Sequence, residues 1–374
     1  MADTGPWAMR ADAGGDIPVS PRTVEPFTFT GTAREYFGIW IVNVLLTVLT
    51  LGIYSAWAKV RRQRYFYGNT HLAGSSFEYH ARPLQILFGR IIVLLVLLAY
   101  NFAANIYPIA ALALTPLFIL ATPFFIMRGL RFNARVTSYR NVRFDFSGGY
   151  LGALKAYVLG GLITWLTLGI LAPIASRWMW RYLLNNLSYG GRPVTSQPAL
   201  RAMYGQWLLP AVVFLGGLVI FGISALAVGS ALFAAYRDLL SGTEDADLIL
   251  AAILQLLATS ALPAILLLAL ATLIYRAGTR NVAFNATVID ARHHLRSTIR
   301  RGRFVWINVT NLIATVLTLG LARPWAAVRL AKFLAAATAL EVEGSLDDYL
   351  GTVKDSGAAV GAEYIDVEGF DIGF

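Results

Sequence analysis

The chain contains no cysteine and few charges, and each shortage narrows what it is. Without a thiol there is no disulfide, no thiolate metal site and no cysteine nucleophile. Charged residues make up 14% of the 374, against about 25% in soluble domains. A chain so poor in charge does not present most of its surface to water. Catalytic signatures are missing too. There is no P-loop, no dinucleotide-binding glycine pattern and no G-x-S-x-G elbow. His71, His80, His293 and His294 lack the i, i+4 spacing of a zinc helix. These gaps argue against an enzyme and imply neither a cofactor nor a metal.

Apolar sequence fills the space. Hydrophobic residues make up 57%, and the mean hydropathy is +0.60. Segments 85–107, 109–127, 205–236 and 248–275 approach or exceed the roughly 20 apolar residues that cross a bilayer, so they read as full spans. Residues 1–24 hold no apolar run before a small-residue cleavage site. They read as a disordered lead, which leaves the first membrane segment as an uncleaved anchor. The net charge of +10 is unevenly spread, with +18 over residues 1–340 and −8 over 341–374. Beside so much apolar sequence, the basic part points to anionic lipid headgroups rather than nucleic acid. The acidic segment 341–374 reads as a cytoplasmic tail, a candidate for binding a protein partner or a plain solubilising extension.

The string T-x-L-T-L-G occurs three times, at Thr47–Gly52, Thr164–Gly169 and Thr315–Gly320. Its flanks recur as well. Trp57 aligns with Trp325, and Arg64 aligns with Arg181 and Lys332, each followed by an aromatic. Asn43 and Asn311 hold the same position upstream. The predicted fold class is therefore mainly α, a polytopic helical membrane protein with three internal repeats of broken helices near 27–67, 142–184 and 282–335. Period-2 stretches at Phe27–Gly31, Phe77–Tyr79, Val142–Phe146 and Val282–Val288 predict short β segments at the membrane surface.

The F-x-F-x-G lead, the recurring LTLG and the Pro/Trp-Ala-x-x-Arg that follows resemble the YjgN-like bacterial inner-membrane proteins, a family catalogued as domain of unknown function 898. The resemblance covers about residues 25–340 and implies an inner-membrane location with several spans. It supplies no substrate, cofactor or catalytic residue. The second copy departs from the pattern at Ile174 and Trp178.

Two topologies compete. Seven single spans divide the basic residues of the connecting segments 14 to 14. If each LTLG glycine instead turns a hairpin back to its own side, four spans remain and the split becomes 26 to 1. Bacterial inner-membrane proteins concentrate Lys and Arg on the cytoplasmic side, so the hairpin topology is expected, with both termini cytoplasmic and seven spans as the alternative. Thr47, Gly52, Thr164, Gly169, Thr315, Gly320, Asn43 and Asn311 are then candidates for a pore or for helix packing. Trp57, Arg61, Arg64, Arg181, Trp325 and Lys332 suit the lipid interface, where rings lie at headgroup depth and long cations snorkel. The functional expectation is a transporter or channel for a small solute or ion. The alternative is a non-catalytic membrane organiser that holds anionic lipid and a partner.

Overall fold

The computed structural model describes residues 22–344, apart from 107, 241–249, 252–253 and 256. The acidic loop after Leu240, the first 21 residues and the tail beyond 344 lie outside the described residues. Five pairs of helices leave one sheet and return to it. Strands β1 (Arg22–Pro26) and β2 (Thr28–Phe29) lead into α1 (Ala33–Leu49) and α2 (Ser55–Gly68), which return to β3 (Thr70–Leu72). Strand β4 (Ser75–Tyr79) leads through α3 (Pro83–Ile106) and α4 (Pro108–Arg135) to β5 (Thr137–Tyr139). Strand β6 (Val142–Phe146) leads through α5 (Tyr150–Leu166), with a π-helical stretch at Leu154–Leu159, and α6 (Ala172–Asn185) to β7 (Leu187–Tyr189). Strand β8 (Arg192–Ser196) leads through α7 (Leu200–Leu240) and α8 (Leu262–Asn285) to β9 (Thr287–Ile289). Last, β10 (His293–Ser297) leads through α9 (Arg301–Leu317) and α10 (Arg323–Ala336) to β11 (Thr338–Glu343).

The sheet is antiparallel, in the order β1-β11-β10-β9-β8-β7-β6-β5-β4-β3-β2. Its two ends are one piece of chain. β1 pairs β11 in the register Val24↔Glu341, and β2 pairs β3 as Thr28↔His71. Only Phe27 separates β1 from β2, and its N–H still donates to the Thr338 carbonyl at 3.0 Å. The sheet is thus a closed barrel, in which β1 and β2 are a single bent strand. Closure brings the two end strands of the sheet together as one strand.

Alternation along each strand sorts the two faces. In β11, Leu340 and Val342 are buried in the lumen cluster, while Glu341 and Glu343 meet Arg296 (2.6 Å) and Arg22 (3.4 Å) outside it. Leu72, Tyr139, Val142 and Tyr189 complete the buried lumen. The tyrosine hydroxyls are satisfied there. Tyr139 donates to the Leu72 carbonyl at 2.6 Å, and Tyr189 donates to that of Tyr139 at 2.9 Å. Burying side chains of this size contributes about 1.5–3 kcal/mol each, which helps hold strands of two to six residues in one closed sheet.

Four of the described helices are long and apolar enough to cross a membrane, over Pro83–Ile106, Leu114–Arg135, Leu200–Ser230 and Leu262–Asn285. Arginines clip the helix pairs to the barrel. Arg64 donates to the carbonyls of Tyr79 and Ala81 at 3.3 and 3.4 Å, and Arg131 donates to those of Phe146 and Gly148 at 3.3 and 3.5 Å.

Several expectations are corrected. The β segments expected as short surface pieces are one barrel, in which tight hairpins (β3–β4, β5–β6, β7–β8, β9–β10) alternate with pairs that bridge a helix pair, and those long-range pairs are invisible to a local reading. Val282–Asn285 is not strand. Helix α8 runs through to Asn285, whose side chain accepts from the Ser297 N–H at 2.7 Å and donates to the Ser297 carbonyl at 3.1 Å. The lead expected over 1–24 gives way to β1 at Arg22, and the tail expected from 341 gives way to β11 through Glu343, because these two segments pair with each other. Every helix pair starts and ends on the same sheet.

Candidate functional sites: three glycine turns and a chamber under the barrel

The three T-x-L-T-L-G strings make the same turn. Each glycine has a positive φ, +93° at Gly52, +87° at Gly169 and +94° at Gly320. The preceding leucine is also left-handed, with φ of 49° at Leu51, 49° at Leu168 and 48° at Leu319. Glycine is needed for its φ, since a Cβ at any of the three would meet open space. The glycine N–H donates to the carbonyl of the first threonine of its string at 2.7 Å in all three.

The second threonine closes the remaining gap. The Thr50 hydroxyl donates to the Leu46 carbonyl at 2.7 Å and accepts from the Tyr54 N–H at 2.9 Å. Thr167 does the same with Ile163 and Leu171, and Thr318 with Ala314 and Ala322. With these bonds, six consecutive N–H groups, from residue 50 to 55, 167 to 172 and 318 to 323, all have acceptors. The first threonines, Thr47, Thr164 and Thr315, donate back to the carbonyls of Asn43, Gly160 and Asn311. The turn is thereby closed to solvent-like needs on its backbone side, yet its leucines stand out. Leu51 and Leu319 are 95% exposed and Leu168 is 69% exposed.

Asn311 fastens its hairpin. It donates to the Ala326 carbonyl at 3.1 Å and accepts from Arg329 at 3.0 Å. Asn43 is equally buried, but its Oδ1 has no partner among the described residues, because Arg61 at the matching register bonds the Tyr54 hydroxyl instead. Gly160 takes this position in the second string, and there α5 lies close against Ala175 of α6.

A second site was not foreseen. A cavity of about 660 Å³ lies where the barrel lumen meets the helix ends. Phe27, Phe77, Tyr139, Phe144 and Tyr189 supply an aromatic wall, and Leu184, Phe284, Ala331 and Leu334 close in from α6, α8 and α10. Arg280 and His293 are its basic lining residues. Burial lowers the His293 pKa from its ordinary value, against the opposing pull of the Asp290 and Glu343 carboxylates. No periodicity announces this cavity, because its wall is assembled from most of the strands. The nearest signal was the period-2 aromatics of Phe27, Phe77 and Phe144.

The family described as "Bacterial protein of unknown function (DUF898)" matches residues 24–367. The chain belongs to this family. Among curated relatives of this family member, "Inner membrane protein YjgN" of Salmonella typhimurium is 26% identical over 357 residues, 85% of this chain and 88% of that protein. The protein of the same name in Escherichia coli K12 is 36% identical over 127 residues, covering 32% of this chain and 31% of its own length. No solved structure matches. With its four long apolar helices, the family member is a membrane protein.

The residues expected at the lipid interface lie along the returning helices. Trp57 stacks on Tyr54 at 6.1 Å, and Arg329 lies 5.0 Å over the Trp325 ring. Arg64 is the barrel clip already described, Arg181 is half-buried and Lys332 is exposed. Arg90 and Lys155, two cations within apolar segments, have local partners. Arg90 bonds the Ser55 hydroxyl, and Lys155 lies 4.9 Å over the Trp178 ring. His80 meets Ser138 at 2.7 Å and Glu78 at 3.2 Å, and no group of three metal-ligating side chains forms among the described residues.

Proposed function

We propose that this family member is a transporter-like inner-membrane protein that takes a small apolar or amphiphilic solute into the chamber under its barrel. The chamber carries the reading. Its volume is in the range of small-molecule sites, about 300–1,000 Å³, and such sites are mostly apolar with a few placed polar groups. The relatives' names and the four long helices support the inner membrane, and the 26-to-1 distribution of basic residues supports a cytoplasmic barrel and cytoplasmic termini.

In this reading the three glycine turns are re-entrant. They are internal repeats whose tips enter hydrocarbon without crossing it. Two observations support that placement. The turn N–H groups are bonded internally, as hydrocarbon demands, and the tip leucines project outward. Trp57, Arg61, Arg64, Arg181, Trp325 and Lys332 then lie at the cytoplasmic headgroups, with anionic lipid as their partner, and residues 345–374 form the acidic tail. The lipid-facing tips fit a structural role for Gly52, Gly169 and Gly320, leaving the chamber as the place for a solute.

Purified full-length protein in nanodiscs, titrated with the neutral apolar dye N-phenyl-1-naphthylamine, tests the chamber. Wild type should bind at a single site, and Ala331→Trp, which fills the cavity, should weaken binding at least tenfold while keeping the thermal transition of wild type. Equal binding by both proteins would remove the chamber from consideration. If deletion of 345–374 abolished the cellular phenotype while no probe bound, the membrane-organising alternative would replace this reading.

A further inference from the structure

We propose that the chamber's ligand is a single-chain anionic amphiphile, with its anionic head on Arg280 and its chain against the aromatic wall. This deepens the preceding reading and rests on it. Arg280 lies on α8 within the last two turns before β9, and its side chain lines the chamber. A guanidinium has five N–H donors. Two go to neutral hydroxyls, Ser297 Oγ at 2.7 Å and Thr338 Oγ1 at 2.8 Å. No carboxylate pairs with Arg280 among the described residues. Its cation lies 4.1 Å over the Phe284 ring.

The two hydroxyls are committed as acceptors. Ser297 donates its proton to Asn281 Oδ1 at 2.6 Å, and Thr338 donates to the Leu334 carbonyl at 2.7 Å. Both therefore turn lone pairs toward the guanidinium and hold it in one orientation. Asn281 is itself fixed by the Ile299 backbone, donating at 2.9 Å and accepting at 3.1 Å. A cation held this firmly against an apolar space is costly unless an anion joins it. Two other arginines at the barrel meet carboxylates instead: Arg135 has Asp145 at 3.0 Å and Arg296 has Glu341 at 2.6 Å.

The rest of the lining sets the remainder of the ligand. Aside from Arg280 and His293, the wall is aromatic and aliphatic with a few tyrosine and threonine hydroxyls. A compact polyanion would leave most of that wall facing nothing apolar. A lone chain without a head would leave the cation unanswered. One anionic head on one chain matches both parts, and the volume suits one molecule of drug-like size.

The test uses full-length protein in zwitterionic nanodiscs and competition against the same neutral dye. Palmitate supplies head and chain, hexadecanol the chain alone and acetate the head alone. Palmitate should displace the dye at least tenfold more tightly than hexadecanol, and acetate should not compete. Arg280→Gln should weaken palmitate about ten- to hundredfold while leaving hexadecanol and the dye as in wild type, in line with the strength of hydrogen bonds to charged groups. Equal displacement by palmitate and hexadecanol in wild type, or an unchanged palmitate affinity in Arg280→Gln, would overturn the anionic ligand while the chamber stands. Absence of any dye binding to wild type would overturn both readings. Should Arg280→Gln fail to fold, the wild-type comparison of acid with alcohol decides alone.

Discussion

Leucines at the glycine turns and leucines in the barrel lumen are chemically alike but sit in opposite surroundings. Leu51 and Leu319 are almost fully exposed, while Leu72 and Leu340 are buried among tyrosines. Polar partners differ in the same way. At the turns, threonine hydroxyls and backbone groups within a few residues satisfy every amide. In the lumen, tyrosine hydroxyls reach carbonyls 50 to 67 residues away. One region is therefore stable by local bonding in whatever medium surrounds it. The other exists only if the whole ring of strands assembles. That difference teaches where a mutation is felt: locally at the tips, globally in the lumen.

The largest expected effect tests the lumen. Tyr139→Ala removes a ring that contacts Phe77 at 4.9 Å and a hydrogen bond to Leu72. Loss of about 3–5 kcal/mol is expected from the cavity alone, read as a large drop in thermal stability in detergent. A loss below about 1 kcal/mol would mean that the strands do not depend on this shared core.

The next effect tests what surrounds the tips. Leu319→Asp should cost about 2.5–3.5 kcal/mol if the tip lies deep in hydrocarbon, measured as reduced membrane insertion or stability in nanodiscs. The same change in water would cost almost nothing, since the side chain touches little. A neutral result would therefore place the turns outside the bilayer and end the re-entrant reading.

The smallest effect tests the turn itself. Gly320→Ala forces a Cβ into a left-handed conformation without a steric clash. About 1–2 kcal/mol should be lost, with the same value at Gly52 and Gly169 because the three turns are alike. Unequal losses would show that one turn has a further duty, and Gly169 is the one to watch, since its carbonyl accepts from Trp207 at 2.8 Å.

The turns were legible because they are local. A recurring six-residue string, a glycine and a change from apolar to basic flanks identify a helix that reverses. Long apolar helices were legible for the same reason. The barrel was not, since strands such as β2 and β5 have two or three residues and its closure needs pairs such as β2–β3 and β4–β5 between segments far apart in the chain. Val282–Val288 misled because alternation cannot distinguish a strand from the end of a long helix that packs on one. Arg280 was hidden among seven basic residues over 276–303, and nothing in its neighbourhood distinguishes a cation facing a chamber from one facing lipid headgroups.

The sequence by itself determined the medium and the turns. Its hydropathy demands a membrane, and its threonine–leucine–glycine strings dictate where helices reverse, because both follow from chemistry within a few residues. Only the tertiary structure decided that the strands close into one barrel, that its lumen meets the helix ends as a cavity, and that Arg280 faces it. Those features depend on pairings between distant segments. A closed ring gains its stability only when its last strand, Arg22–Phe29, joins both neighbours, and no single stretch of sequence contains that information.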